Sequence, residues 1–401
     1  LNTRAGEYIR QTEGYRSFVP APLPPDPPVD VVGAGLLPLL SRADQAVGRL
    51  DGVIHGHLPN PNFFVAMYVR REAVLSSQIE GTQSTLQDLL AVELSPRIRS
   101  IPSDVEEVVN YVRAMNYGLD RLASLPLSLR LIREIHSELL SGARGGRRNP
   151  GEFRAVQNWI GPDGASIAKA TFVPPTVLDM TRALDEFERF LHLDAGLPPL
   201  LHVGLSHAHF ETIHPFLDGN GRVGRLLITL QLVHGRVLHR PLLYLSHFFK
   251  RNRAEYYDRL MAVRDAGDWE GWLRFFLRGV GDTAEEATIT AKTIVELREA
   301  HRTLLQEASG NATAQRLLDI LYDRPLINVG LAADLLGVSF VTANKAVALF
   351  EEVGLLGEMT GGKRSRVFRY EPYLALFDDA ESKDAREDSP EPAVQSTTAG
   401  V

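Results

Sequence analysis

The stretch His214-Pro215-Phe216-Leu217-Asp218-Gly219-Asn220-Gly221-Arg222-Val223-Gly224-Arg225 decides how this chain is read. Gly219-Asn220-Gly221 permits positive φ and lets backbone N–H groups come close to a ligand. Val223, Leu226, Leu227 and Leu230 follow at helical spacing, so the loop feeds a helix N-terminus, a ready anion site. Arg222 and Arg225 stand one turn apart and are expected to converge on one polyphosphate. Asp218 offers hard oxygen ligands beside that site, as suits Mg²⁺ (or Mn²⁺) shared with phosphates. His214 is an imidazole a few residues away, suited to taking a proton near neutral pH. Base, metal carboxylate, phosphate cradle and two cations together describe phosphoryl-type transfer.

Outward from this motif the pattern is helical. Phe64, Met67, Tyr68, Arg71, Leu75 and Ile79 share one helix face. Ser103 with Glu106 reads as a capping box before the stripe Val105 to Leu119. Further stripes run over 131–140, 178–191 and 200–212. Residues 151–175 break the rhythm and read extended–turn–extended, a β-hairpin from Val156-Gln157-Asn158-Trp159-Ile160 through Gly161-Pro162-Asp163-Gly164 to Thr171-Phe172-Val173. Pro20, Pro22, Pro24, Pro25, Pro27 and Pro28 predict an extended, polyproline-like arm over 1–33.

Beyond residue 310 the order is helix, helix–turn–helix, then two strands around Thr360-Gly361-Gly362-Lys363, which resembles a winged helix over 311–373. A linker is expected at 307–311. Residues 378–401 carry seven acidic and two basic residues without apolar periodicity and read as a disordered acidic tail. The expected division is a proline-rich arm (1–33), an N-terminal helical region (34–100), a core (101–300), the winged-helix domain and the tail.

His-Pro-Phe-x-Asp-Gly-Asn-Gly-Arg-x-x-Arg is the signature of the Fic family, and every fixed position is filled here. The resemblance extends over about residues 20–285, including Asn252-Arg253-x-x-Tyr256-Tyr257. It implies a mainly α fold with a β-hairpin flap and transfer of AMP from ATP to a hydroxyl of a protein target. His214 would be the base on that hydroxyl and Asp218 the metal ligand. Gly219, Asn220 and Gly221 would cradle phosphates, with Arg222 and Arg225 on the outer ones, and Val223 and Gly224 would belong to the nucleotide-binding stretch. Asn252, Tyr256 and Tyr257 would serve the nucleotide, and Val156 to Ile160 would dock the target by strand addition. Ser76-Ser77-Gln78-Ile79-Glu80-Gly81 matches the family's inhibitory pattern. Ser76, Glu80 and Gly81 would form a latch in which Glu80 takes the guanidinium of Arg225 from the γ-phosphate.

Composition limits the rest. The 401 residues suggest two or three domains. There is no cysteine, which excludes disulfides and thiolate chemistry. No apolar run reaches the roughly 18 residues of a membrane helix, and no signal pattern opens the chain, so a cytoplasmic protein without a membrane partner is expected. The formal charge of −7 falls to −2 once the acidic tail is set aside. Residues 311–373 hold seven basic and seven acidic residues, four of the basic ones between 363 and 369, so DNA and protein stay open as partners there, and so does a homodimer. His207 and His209 are two apart, on different helix faces, and read as packing residues rather than metal ligands. Two rival functions stay open: a nucleotide-sensing DNA-binding regulator, and an enzyme that removes AMP from modified protein.

Overall fold

In the computed structural model, which describes residues 2–57, 62–94, 101–142, 149–162, 164–194, 196–362 and 366–377, the apolar stripes become helices. The chain forms two units, residues 1–295 and 296–401.

The first unit opens with an antiparallel sheet, β1 (Asn2–Thr3), β2 (Gly6–Arg10) and β3 (Arg16–Pro20), in that order. This replaces the first part of the expected polyproline-like arm. The prolines that suggested the arm all lie at or beyond Pro20, where β3 ends and no further ladder donor is needed. Phe18, paired with Tyr8, is fully buried and anchors the sheet.

The helices that follow are α1 (Leu37–His57), α2 (Asn62–Ile79), α3 (Leu86–Leu94), α4 (Ser103–Arg121), α5 (Leu129–Leu139), α6 (Val177–Leu191), α7 (Pro199–Ile213), α8 (Asn220–His234), α9 (Ser246–Arg251), α10 (Arg253–Ala266) and α11 (Trp269–Ser309). The fold is mainly α. Helix α5 buries Leu131, Ile132, Ile135 and Leu139 on one face, and Ser128 caps it by accepting from the Leu131 amide. Helix α4 starts at Ser103 itself, so the expected capping box does not form; the serine is a helical residue, and its hydroxyl turns to Asp104. Helix α7 has no solvent face: every residue from Leu200 to Ile213 except His202 is buried. Helix α8 is likewise almost wholly buried through its first three turns, so the loop joining α7 to α8 is held between two buried helices. Among the described residues no single helix is long and apolar enough to cross a membrane.

The second unit contains α12 (Ala312–Asp323), β4 (Leu326–Asn328), α13 (Val329–Leu336), α14 (Phe340–Glu352), β5 (Leu356–Glu358) and β6 (Val367–Tyr370), with sheet order β4-β6-β5. Strand β4 is three residues long, too short for periodicity to reveal it. Asn311, Asn328 and Ser339 cap the three helices by accepting from the amides of Thr313, Leu331 and Thr342. No extended linker occupies 307–311: α11 runs to Ser309, and Gly310, at φ 59°, turns the chain directly into the Asn311 cap. Lys363 and Arg364 of the expected basic wing, Asp163 of the hairpin turn and residues 378–401 lie outside the described residues.

Candidate active site

Helix α7 ends where His214 takes the left-handed conformation, φ 49°, and α8 begins after Gly219 at φ 78°. A bend between two buried helices leaves peptide groups that must find partners away from water. The Arg154 amide donates to the Pro215 carbonyl (2.9 Å) and its Nε to the His214 carbonyl (3.1 Å). Asn158 Nδ2 and Asn220 Nδ2 both donate to the Phe216 carbonyl (2.9 and 2.8 Å), and the Phe216 amide donates to Asn220 Oδ1 (2.8 Å). His136 Nδ1 accepts from the Gly151 amide (2.9 Å), so Nε2 carries the hydrogen and donates to the Asp218 carbonyl (3.1 Å). Its ring stacks on Phe216 at 3.7 Å. Burial pulls this histidine down to about 4, so it stays neutral in this role. Neither His136 nor Arg154 stands out as a site residue in the sequence, although His136 falls inside the apolar stripe Ile132, Ile135, Leu139 and so marks itself as buried.

The first amides of α8, at 220–222, find no backbone acceptor among the described residues and stand together as a donor cluster. The cradle is smaller than the motif suggests. The Val223 amide donates to the Gly219 carbonyl and its side chain is fully buried, while the Gly224 carbonyl is taken by His207 Nδ1 (3.1 Å). Val223 therefore has neither a free amide nor an exposed side chain to offer a nucleotide. Asp218 keeps a partly exposed side chain, with Oδ1 accepting from the Gly219 amide (2.6 Å).

The two arginines diverge instead of converging. Arg222 pairs with Glu107 (3.0 Å) and Asp218 (3.4 Å). Arg225 donates Nε to Ser76 Oγ (2.7 Å) and a terminal nitrogen to both the Ser76 carbonyl (3.0 Å) and Glu80 Oε1 (2.7 Å). Both guanidinium groups are almost wholly buried, whereas the Glu80 side chain keeps 36% of its surface exposed. A Cβ at Gly221 would lie 2.3 Å from Glu80 Oε1 and 3.0 Å from Arg225, so the carboxylate rests on the cradle itself. Gly81, at φ 100°, ends the turn that carries Glu80 there. Partial burial alone would raise the Glu80 carboxyl, but the Arg225 charge and hydrogen bond override it and hold the group below its ordinary value. Behind the pair, Glu72 and Glu211 are buried carboxyls pushed up to about 7 by desolvation.

Desolvation first, then the charges of Arg264 and Arg154, push the half-buried His214 imidazole down to about 3, so it is an unprotonated acceptor at neutral pH. Tyr256 is not a ligand contact: it is buried, its hydroxyl meets His207 Nε2 (2.9 Å), and it packs on Phe249. Asn252 folds its amide onto the Phe248 carbonyl (2.9 Å) between α9 and α10. Tyr257 keeps an exposed ring and feels the charges of Glu80 and Arg225. His207 and His209 are buried and neutral, packed against aromatic rings.

The hairpin does not form as a ladder. One bridge joins Ile160 to Phe172, and a 3₁₀ turn at Ile167–Lys169 occupies the returning segment. Side-chain amides replace strand pairing: Gln157 donates to the Pro174 carbonyl (3.0 Å) and Asn158 to Phe216. Pro162, Pro174 and Pro175 supply no donors for a ladder. Val156 and Trp159 remain exposed, and Trp159 Nε1 caps the Ala165 carbonyl (2.9 Å).

A half-buried acceptor histidine, a partly exposed carboxylate and helix amides without a backbone acceptor stand on one loop, with a cation one turn further. Residues 37–120 match the Fic/DOC family N-terminal region and residues 126–232 the Fic/DOC family domain, so the chain carries both of these domains. It is similar to the protein adenylyltransferases Fic of Drosophila grimshawi (30% identical over 217 residues) and Drosophila melanogaster (29% over 217 residues). Each match covers 52% of this chain but only 40% and 39% of those proteins. Two solved structures share the fold. A Fic family protein from Desulfovibrio desulfuricans G20 has a TM-score of 0.54 at 20% identity, covering 86% of this chain and 97% of that one. A Fic domain containing signaling protein from Bacteroides thetaiotaomicron VPI-5482 has a TM-score of 0.50 at 17% identity, covering 63% and 97%.

Proposed function

We propose that this chain is a protein adenylyltransferase that moves AMP from ATP onto a hydroxyl side chain of a protein target, and that Glu80 holds it inhibited. The observation that carries the reading is the single loop on which unprotonated His214, Asp218 and the open amides 220–222 stand together, with Arg225 one turn beyond. The names of the Drosophila relatives support the same chemistry.

In the step proposed, His214 takes the proton of the target hydroxyl as that oxygen attacks the α-phosphorus of ATP. The bond from the α-phosphorus to the bridging oxygen breaks, and pyrophosphate leaves with the electron pair. The amides 220–222 bind the phosphate oxygens, and Arg225, once freed, binds the γ-phosphate. Asp218 fits a magnesium ion, because Mg²⁺ uses one or two carboxylates together with substrate phosphates. That ion would supply charge neutralisation on the phosphates. Glu80 is proposed as the brake, since its carboxylate occupies both the guanidinium and the space over Gly221 that the γ-phosphate needs. The exposed residues Val156 and Trp159, next to the loop, are proposed to meet the target segment. The second unit is proposed to be a winged helix, on its order of helix, strand, helix, helix and two strands with sheet order β4-β6-β5.

Paired incubations with ATP labelled at the α- or the γ-phosphate test the reaction. Protein-bound label from the α-phosphate only is expected. Label from the γ-phosphate would mean phosphate transfer, and AMP release from modified protein without any labelling would mean the reverse activity.

A further inference from the structure

Two arginines of the first unit are buried beside His214 without a carboxylate partner. Arg154, 1% exposed, donates to the carbonyls of His214 (3.1 Å), Val156 (3.3 Å) and Pro175. Arg264, on α10 and 4% exposed, donates to the Glu211 carbonyl (3.1 Å) and Thr212 Oγ1 (3.2 Å), and its guanidinium lies 3.9 Å over the Phe172 ring. Neither is in an ion pair among the described residues. Burying an unneutralised cation is costly. Hydrogen bonding alone does not explain the choice, because Asn158 and Asn220 satisfy carbonyls of the same loop with neutral amides.

What the two cations share is His214. One grips its own carbonyl, and the other grips the last turn of α7 that leads into it. We propose that Arg154 and Arg264 are positioning residues that hold His214 in its left-handed turn from both sides and keep its imidazole unprotonated. A positive charge on the ring would face these two fixed ones in a partly desolvated site, so the free base is favoured. Among the described residues, two further groups act on the ring. Glu80 from α2 opposes the effect, and the Glu211 backbone at α7 lies close. Tyr15 stands beside Arg154, and Glu211, Tyr8, Tyr256 and Asp265 stand beside Arg264. The base so prepared serves the transfer step proposed above, and the inference rests on that reading for its use, though not for its first test.

That test is a histidine-resolved NMR titration of the full chain, with His214 assigned from His214→Gln. In the parent, His214 is expected to stay neutral well below the ordinary histidine value of about 6.5. In Arg154→Gln and in Arg264→Gln it should titrate about one unit or more higher, while Arg154→Lys, which keeps the charge, should stay with the parent. The second readout is the pH–rate profile of label transfer, whose acid limb should move up by the same amount in the glutamine variants and return with Arg154→Lys. A His214 that titrates at the ordinary value in the parent overturns the proposal with no variant needed. So do folded glutamine variants in which its titration is unchanged. A shifted titration in a chain that transfers no label would leave this inference standing and remove the transfer reading instead.

Discussion

The loop 214–221 and the end of α2 at 76–81 meet at Arg225, yet they are held in opposite ways. The loop is fixed by donors from three separate segments, each satisfying a backbone carbonyl of the loop. The end of α2 reaches Arg225 through Ser76, which is fully buried, and Glu80, which is not. Releasing the loop would leave several peptide groups unsatisfied in the core. Releasing Glu80 breaks one charge-assisted bond at the rim, and its carboxylate goes to water while Ser76 still holds the guanidinium. One region is built as permanent geometry and the other as a detachable latch on it.

The sharpest break of this contrast is at the loop. His214→Ala should lower label transfer by about 10²–10⁴ while ATP binding stays near the parent value, as expected for a lost base. Labelling left intact in the purified variant would take His214 out of the chemistry. Gly221→Ala comes next, because it sets both regions against each other. The backbone there is ordinary helix, so the effect is steric: the new methyl would meet Glu80 and Arg225. Nucleotide affinity, measured by direct titration, should fall on the order of tenfold as cradle and latch are both displaced. A well-folded variant with unchanged affinity would show that the cradle lies elsewhere.

The latch itself has a pH signature. Its carboxyl is held below the ordinary value of 4.5, so its contribution is complete above that value and is lost only as pH falls through its own lower one. The ratio of Glu80→Gly to parent activity should therefore stay flat from about pH 8 to about pH 5, the titration of His214 cancelling in the ratio. A ratio that collapses near pH 6 would assign inhibition to another group. The smallest effect concerns Glu211, whose buried carboxyl sits near 7. With a raised folded value, its stabilisation is full below about 4.5 and is lost as pH rises through about 7. Glu211→Gln should recover about 2–4 °C of the melting temperature that the parent loses over that range. An equal loss in the variant would place the titration elsewhere, Glu72 being the other candidate.

Much of this was legible in the sequence where the information is local. The motif is twelve consecutive residues, and α5 and α6 announce themselves by one-sided stripes. The partnership of Ser76 and Glu80 with Arg225 spans 149 and 145 positions, and only the family resemblance linked them. Long-range partners without such a pattern stayed invisible. Nothing local says that Arg154 turns inward or that Arg222 leaves the polyphosphate face for Glu107. The hairpin narrows to the one antiparallel bridge of Ile160 with Phe172, because alternation marks extended chain, not pairing, and the side chains of Gln157 and Asn158 take over the donors' work. A tyrosine beside a site and a tyrosine in the core beneath it look alike in sequence, and only the Tyr256 hydroxyl donating to His207 Nε2 tells them apart.

The detachable latch is the central claim, and one side-by-side measurement tests it most directly: label transferred from α-labelled ATP by the parent chain and by Glu80→Gly under identical conditions, with Arg225→Ala in both backgrounds as control. Loss of one charge-assisted bond predicts a gain on the order of tenfold or more for Glu80→Gly, and no gain once Arg225 is gone. Equal labelling by parent and Glu80→Gly, or a gain that survives the loss of Arg225, would contradict it.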